Sequence, residues 1–261
     1  MPTGTCRRGS LQPRRRKSQA EPTLPYDFSL TAHSDNLDGR VAQNAMNAGV
    51  SLMGTLFRPL GLHELALVWD SGMREFPPRL AHQPVFYPVA NVDYARQIAA
   101  NWDAHDAASG FSGFVTRFSV ADGYLSGFEP HVVGASEHVE YWIPAEQLPQ
   151  FNQAIEGLIA VESAFFGTEF QGHVPDKYGL RGKDAVQQFI VMAKTWDYNR
   201  MDFVCEVSAN RKAMYLNSSF WAQHDFSASG IDPEQKRVTL EALRTAWEYN
   251  HIEIPLPTPL D

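Results

Sequence analysis

The regular alternation of apolar and polar positions begins at Thr55. Leu56, Phe57 and Pro59 surround a single cation, Arg58, and the run predicts a strand over 55–58. Leu62, Leu65, Ala66 and Trp69 then recur at helical spacing, predicting a helix over 63–71 that ends at Gly72. Phe76-Pro77-Pro78-Arg79 reads as a rigid crossing segment, because neither proline can donate to a ladder. The apolar run 85–89 predicts a second strand. Asn91 follows as a helix cap, and Tyr94, Ala95, Ile98 and Ala99 form one face of a helix over 92–102. Residues 103–113 are small and polar, as in a loop. Strands are expected over 113–120, 131–134 and 138–143, a short helix over 149–155, and a strand near 158–162.

Farther on, Val186, Phe189, Ile190, Ala193 and Trp196 form one stripe of a helix over 183–196. Residues 201–207 read as a strand and 215–221 as a further apolar segment. Asp232-Pro233 opens a final helix to about Tyr249, and 252–257 is extended. Ahead of Thr55, residues 1–50 are basic and rich in Pro, Ser and Gln, then polar, with one weak helix predicted over 41–46. These patterns divide the chain into a disordered basic extension (1–52), a domain over 53–165 and a mixed helix and strand region over 166–261 packed on it. Short strands interrupted by a few helices, without regular βαβ alternation, predict an α+β class with a split, mostly antiparallel sheet.

Composition narrows the chemistry. The chain has 261 residues, 44% hydrophobic, enough for an ample core. No apolar run approaches the roughly 18–20 residues of a membrane span. Cys6 and Cys205 are the only cysteines, far apart, giving neither a disulfide framework nor zinc spacing, so no metal is expected and the setting predicted is cytoplasmic. The net charge of −8 hides a basic start, Arg7, Arg8, Arg14, Arg15, Arg16 and Lys17, and a more acidic remainder. An acidic body is poorly suited to wrapping nucleic acid through phosphates. Arg7-Arg8 precedes no apolar stretch, so no export signal is expected.

Three strand-like runs each carry a polar group among hydrophobes: Arg58, Tyr87 and Glu140. A planar cation, an aromatic hydroxyl and a carboxylate suit an anionic, sugar-bearing ligand. Each also has a plain structural use: Arg58 as partner of a nearby carboxylate, Tyr87 as core, and Glu140 as a solvated edge residue.

The stretch from Thr55 to about Glu162 resembles the ADP-ribosyltransferase superfamily, in particular small bacterial proteins described as ADP-ribosylation or crystallin-like. The resemblance rests on Phe57-Arg58-Pro59, Glu64-Leu65, Ser71-Gly72, Phe76-Pro77-Pro78-Arg79, Phe86-Tyr87-Pro88-Val89 and Tyr94-Ala95-Arg96-Gln97-Ile98-Ala99. The segment Glu140-Tyr141-Trp142-Ile143-Pro144 also looks like the Glu-bearing strand of DNA-targeting transferase toxins. The resemblance implies an ADP-ribosyltransferase-type sheet, NAD as substrate and cleavage of the nicotinamide–ribose bond. It gives Arg58 a dinucleotide contact, Tyr87 with Phe86 a place near nicotinamide, and His63 and Arg79 secondary contacts. It makes Glu140 the catalytic residue, bonded to the ribose 2′-hydroxyl. A protein or nucleic-acid acceptor is implied but not identified, since the second strand lacks a Ser-x-Ser/Thr motif and Glu140 lacks a Glu or Gln two positions earlier. A non-catalytic nucleotide- or protein-binding module on the same scaffold is the alternative. The helical, metal-dependent ADP-ribosyl hydrolases are set aside, because the chain has no adjacent Asp-Asp or Asp-Glu pair.

Overall fold

The computed structural model describes residues 53–250 and 253–257, which all fall within one compact unit of the chain. The expectations for residues 1–52, including the basic extension and the helix over 41–46, lie outside the described residues.

The described residues form an α+β arrangement with antiparallel strand pairing. In chain order the elements are β1 (Met53–Leu60), α1 (Leu62–Asp70), β2 (Val85–Phe86), α2 (Val92–Asn101), β3 (Ser112–Ala121), α3 (Asp122–Leu125), β4 (Pro130–Val132), β5 (Val139–Tyr141), β6 (Ile143–Pro144), α4 (Leu148–Gln153) and β7 (Ile155–Phe166). Four helices follow: α5 (Ala185–Tyr198), α6 (Arg200–Ala209), α7 (Arg211–Gln223) and α8 (Pro233–Asn250).

Strand β3 is central between β1 and β7. The sheet continues past β1 through one residue. Val89 pairs with Phe57 on one side and with Glu140 on the other, which joins β5 and its partner β4 to the sheet. Four backbone bonds hold this junction: Phe57 N–H to Val89 O and Val89 N–H to Phe57 O, both 2.8 Å, with Ala90 N–H to Val139 O and Tyr141 N–H to Pro88 O, both 2.9 Å. The strand expected over 85–89 is thus two short pieces, β2 paired with β6 and the Val89 bridge.

Alternation on β1 sorts its side chains. Leu56, Arg58 and Leu60 pair with Phe118, Thr116 and Phe114 and face the large core, which also holds Phe76, Phe86 and Phe151. Phe57 and Pro59 face the other way, where Val89, Val115, Ala95 and Ala99 form a smaller cluster under α2. Gly113 on β3 permits this approach. A methyl group there would overlap the Ala99 carbonyl.

Asn91 caps α2, accepting from Asp93 and Tyr94 N–H, and Gly72 follows α1 with φ +74°, as their sequences predict. The region after β7 departs from expectation. The described residues beyond Phe166 form helices and no strand, and 201–207, expected as a strand, belongs to α6. Asn199 caps α6 by accepting from Met201 and Asp202 N–H, and Phe203 and Val207, four apart, both reach the core. Residues 213–221 are buried on all sides of α7, the polar Asn217, Ser218 and Ser219 included, so the segment carries no amphipathic period to read. The helices share the large core with the sheet. Phe166 of β7 meets Phe170 and Phe220, and Trp69 of α1 meets Tyr215 and Trp247.

Candidate functional site

Arg58 is 8% exposed, and its guanidinium sits 4.7 Å from the centre of the Phe86 ring. Nη1 donates to the Tyr87 carbonyl at 3.2 Å, and Nη2 pairs with Glu64 Oε1 at 3.3 Å. Arg79 reaches the same Glu64 oxygen with Nη1 at 3.5 Å. Two guanidiniums therefore share one carboxylate, which α1 presents in its first turn. The Nε of each arginine is buried without a partner among the described residues. Burial, and next the positive charge of Arg58, pull the Arg79 guanidinium below its ordinary pKa, and the Glu64 carboxylate acts in the other direction.

Asp103 borders this cluster. Burial pushes its carboxyl up to about 6, and the charge of Arg58 opposes that rise. Its Oδ1 accepts from Ser109 at 3.4 Å, and Oδ2 is buried without a partner among the described residues. His63 is exposed on α1 and stays at the margin.

Glu140 has a different setting. Tyr94 Oη of α2 donates to Glu140 Oε1 at 2.8 Å, and Trp142 Nε1 donates to Oε2 at 3.0 Å. His138 stacks on Tyr94 with ring centres 4.1 Å apart, and His131, cross-strand partner of Glu140, stacks on Trp142 at 4.2 Å. Tyr87 stands perpendicular to Trp142 at 6.1 Å. Tyr87 and Trp142 are 38% and 44% exposed, which leaves part of each ring open to solvent beside the carboxylate.

The register separates the two groups. Phe57, Val89 and Glu140 are successive neighbours across antiparallel strands and share a face, whereas Arg58 follows Phe57 and points to the other. Their partners agree, Phe86 of the large core for Arg58 and Tyr94 of α2 for Glu140. Arg58, Tyr87 and Glu140, expected to line one cleft, do not converge. Phe86 is fully buried, and its ring supports the Arg58 guanidinium from the core. Arg79 does join Arg58, through Glu64.

Tyr87 is the residue that touches both settings, by its ring to Trp142 and by its carbonyl to Arg58. Sequence reading missed Tyr94, His131, His138 and Trp142 around the carboxylate. The spacing Glu140-x-Trp142 was a usable signal, since residues two apart on a strand share a face.

No family model, curated protein or solved structure matches this chain. Among the described residues no group of three or more His, Cys, Asp or Glu side chains is placed to hold a metal ion, and no helix is long and apolar enough to cross a membrane.

Proposed function

We propose that this protein is a cytoplasmic nucleotide-binding module, non-catalytic, on an ADP-ribosyltransferase-like sheet, and that its ligand is NAD or a related ADP-ribose compound. The observation that carries the reading is the position of Tyr87. Its ring stands 6.1 Å from Trp142, and its backbone carbonyl accepts from Arg58, so it joins the aromatic surface to the arginine pair. A nucleobase or nicotinamide ring gains about 1–3 kcal/mol by stacking on such an exposed aromatic surface. Arg79, sharing Glu64 with Arg58, offers its remaining guanidinium capacity to phosphate. The separation of Arg58 and Glu140 supports binding over transfer. Cleavage of a nicotinamide–ribose bond calls for cation and carboxylate acting together on one enclosed ligand.

An NAD-dependent ADP-ribosyltransferase, passing ADP-ribose to a protein or nucleic-acid acceptor, is the second reading. One observation favours it. Glu140 accepts one bond on each oxygen and keeps lone-pair capacity beside the exposed Trp142 ring, where it could accept from a ribose hydroxyl and stabilise an oxocarbenium-like state.

Calorimetric titration of NAD and ADP-ribose into the wild type, Trp142→Leu and Arg79→Gln tests the site. Each variant is expected to bind about tenfold more weakly, the loss of one stacking or charge-assisted contact. Unchanged affinity in both variants would remove nucleotide from this surface.

A further inference from the structure

Far along the chain from these residues, α5, α6 and α8 line a half-open groove of about 480 Å³. Its walls are apolar: Trp196 of α5, Val204 of α6, and Ala242, Ala246 and Tyr249 of α8. Of the lining residues, Tyr249 is strongly exposed.

The charges on the groove are unequal. Arg200 opens α6, and its guanidinium lies 4.8 Å from the centre of the Trp196 ring. It forms no ion pair with an acid among the described residues. The acid of the lining, Glu241, is taken by Arg237 at 3.0 Å. The groove therefore combines apolar walls with one cation free to meet a ligand.

Size narrows the occupant. Small-molecule sites fill about 300–1,000 Å³, which includes this volume. A peptide helix about 10 Å across would fill it with roughly a single turn, too little for helix-in-groove docking. We infer that this groove binds a small free amphiphile carrying one carboxylate, with the head on Arg200 and the apolar body against Trp196 and α8. The stacked guanidinium suits that head. Its flat face is already covered by the indole, which leaves the N–H edges for a carboxylate.

The test compares dodecanoate with dodecanol, both below their aggregation limits, on the full chain by calorimetry and tryptophan fluorescence. Wild type is expected to show saturable binding of the acid, at least about tenfold tighter than the alcohol, as for a charge-assisted bond. Arg200→Gln, at an exposed position, should bring the two ligands within about twofold. Thr245→Trp, which fills the groove from an exposed position of α8, should abolish both. Equal affinities for acid and alcohol in the wild type, non-saturable uptake, or binding that survives Thr245→Trp would overturn the assignment. Should Thr245→Trp fail to fold, Arg200→Glu gives the decisive comparison. Loss of the acid with retention of the alcohol supports the site, and retention of both overturns it.

Discussion

Tyr94 Oη donates to Glu140 Oε1 at 2.8 Å, tying α2 to the strand β5 that lies 46 positions later in the chain. Trp142 Nε1 holds the other carboxylate oxygen at 3.0 Å. Glu140 is thus part of what fixes β5 beneath α2, whatever else it does. Glu140→Gln replaces one accepting oxygen by an NH₂ that faces a donor. The expected cost is about 1–2 kcal/mol of folding stability, and Glu140→Ala should cost more by removing both bonds, one of them from the half-buried Tyr94 hydroxyl. Urea unfolding of the two variants checks this. No loss in either would mean that the carboxylate does not hold the α2–β5 contact.

The two arginines should separate in their effects. Arg58 is deeply buried, shares Glu64 and supports the Tyr87 carbonyl, so Arg58→Met should cost about 3 kcal/mol, the scale for breaking a buried pair. Arg79 is as buried as Arg58 but among the described residues makes only the longer contact to Glu64, at 3.5 Å, and Arg79→Gln leaves Arg58 on that carboxylate, so it should cost less than Arg58→Met while weakening nucleotide binding. Chemical denaturation and calorimetry on the same preparations distinguish the roles. A larger stability loss for Arg79→Gln than for Arg58→Met would reverse the assignment.

Asp103 supplies a pH signature. Its carboxyl is raised from 3.8 to about 6 in the folded chain, chiefly by burial. The folded state therefore holds a proton that the unfolded state has released between those values, and the stability this residue contributes is lost as pH rises through about 6. Asp103→Asn keeps an acceptor for Ser109 and removes the buried charge. It should leave stability near that of wild type at about pH 3.5 and raise it by roughly 1–3 kcal/mol at about pH 7.5. The difference between the two proteins in urea at both pH values is the readout. A variant less stable than wild type at the higher pH would contradict the sign.

Gly113 tests the close approach of α2 to β3. Gly113→Ala drives a methyl into the Ala99 backbone, which is not free to swing aside. A loss of about 2–3 kcal/mol is expected, as for overpacking, with a lower thermal midpoint. Unaltered stability would mean that α2 can move outward without cost.

Much of the fold between β1 and β7 is legible in the sequence, because each element carries its own signal. Leu56, Phe57 and Leu60 mark β1, Asn91 marks the start of α2, and the alternation over 113–120 marks β3. The helical half was less so. Val204 and Val207 favour strand by residue type, and the Asn199 cap and the burial of Phe203 decide for helix. The site was legible in its residues and not in its geometry. The sequence offers Arg58, Tyr87 and Glu140 as polar groups on short strands. Which face each occupies depends on the pairing of Val89 with both Phe57 and Glu140, a register set by distant partners.

Nucleotide bound on this surface should stay intact. The most direct measurement is nicotinamide release from NAD by wild type at saturating ligand, followed by mass spectrometry alongside a binding isotherm. Saturable binding that weakens in Trp142→Leu and Arg79→Gln is expected, with no nicotinamide released above the rate in buffer. Steady release that disappears in Glu140→Gln while NAD affinity stays within a few fold would contradict it and make Glu140 a catalytic residue.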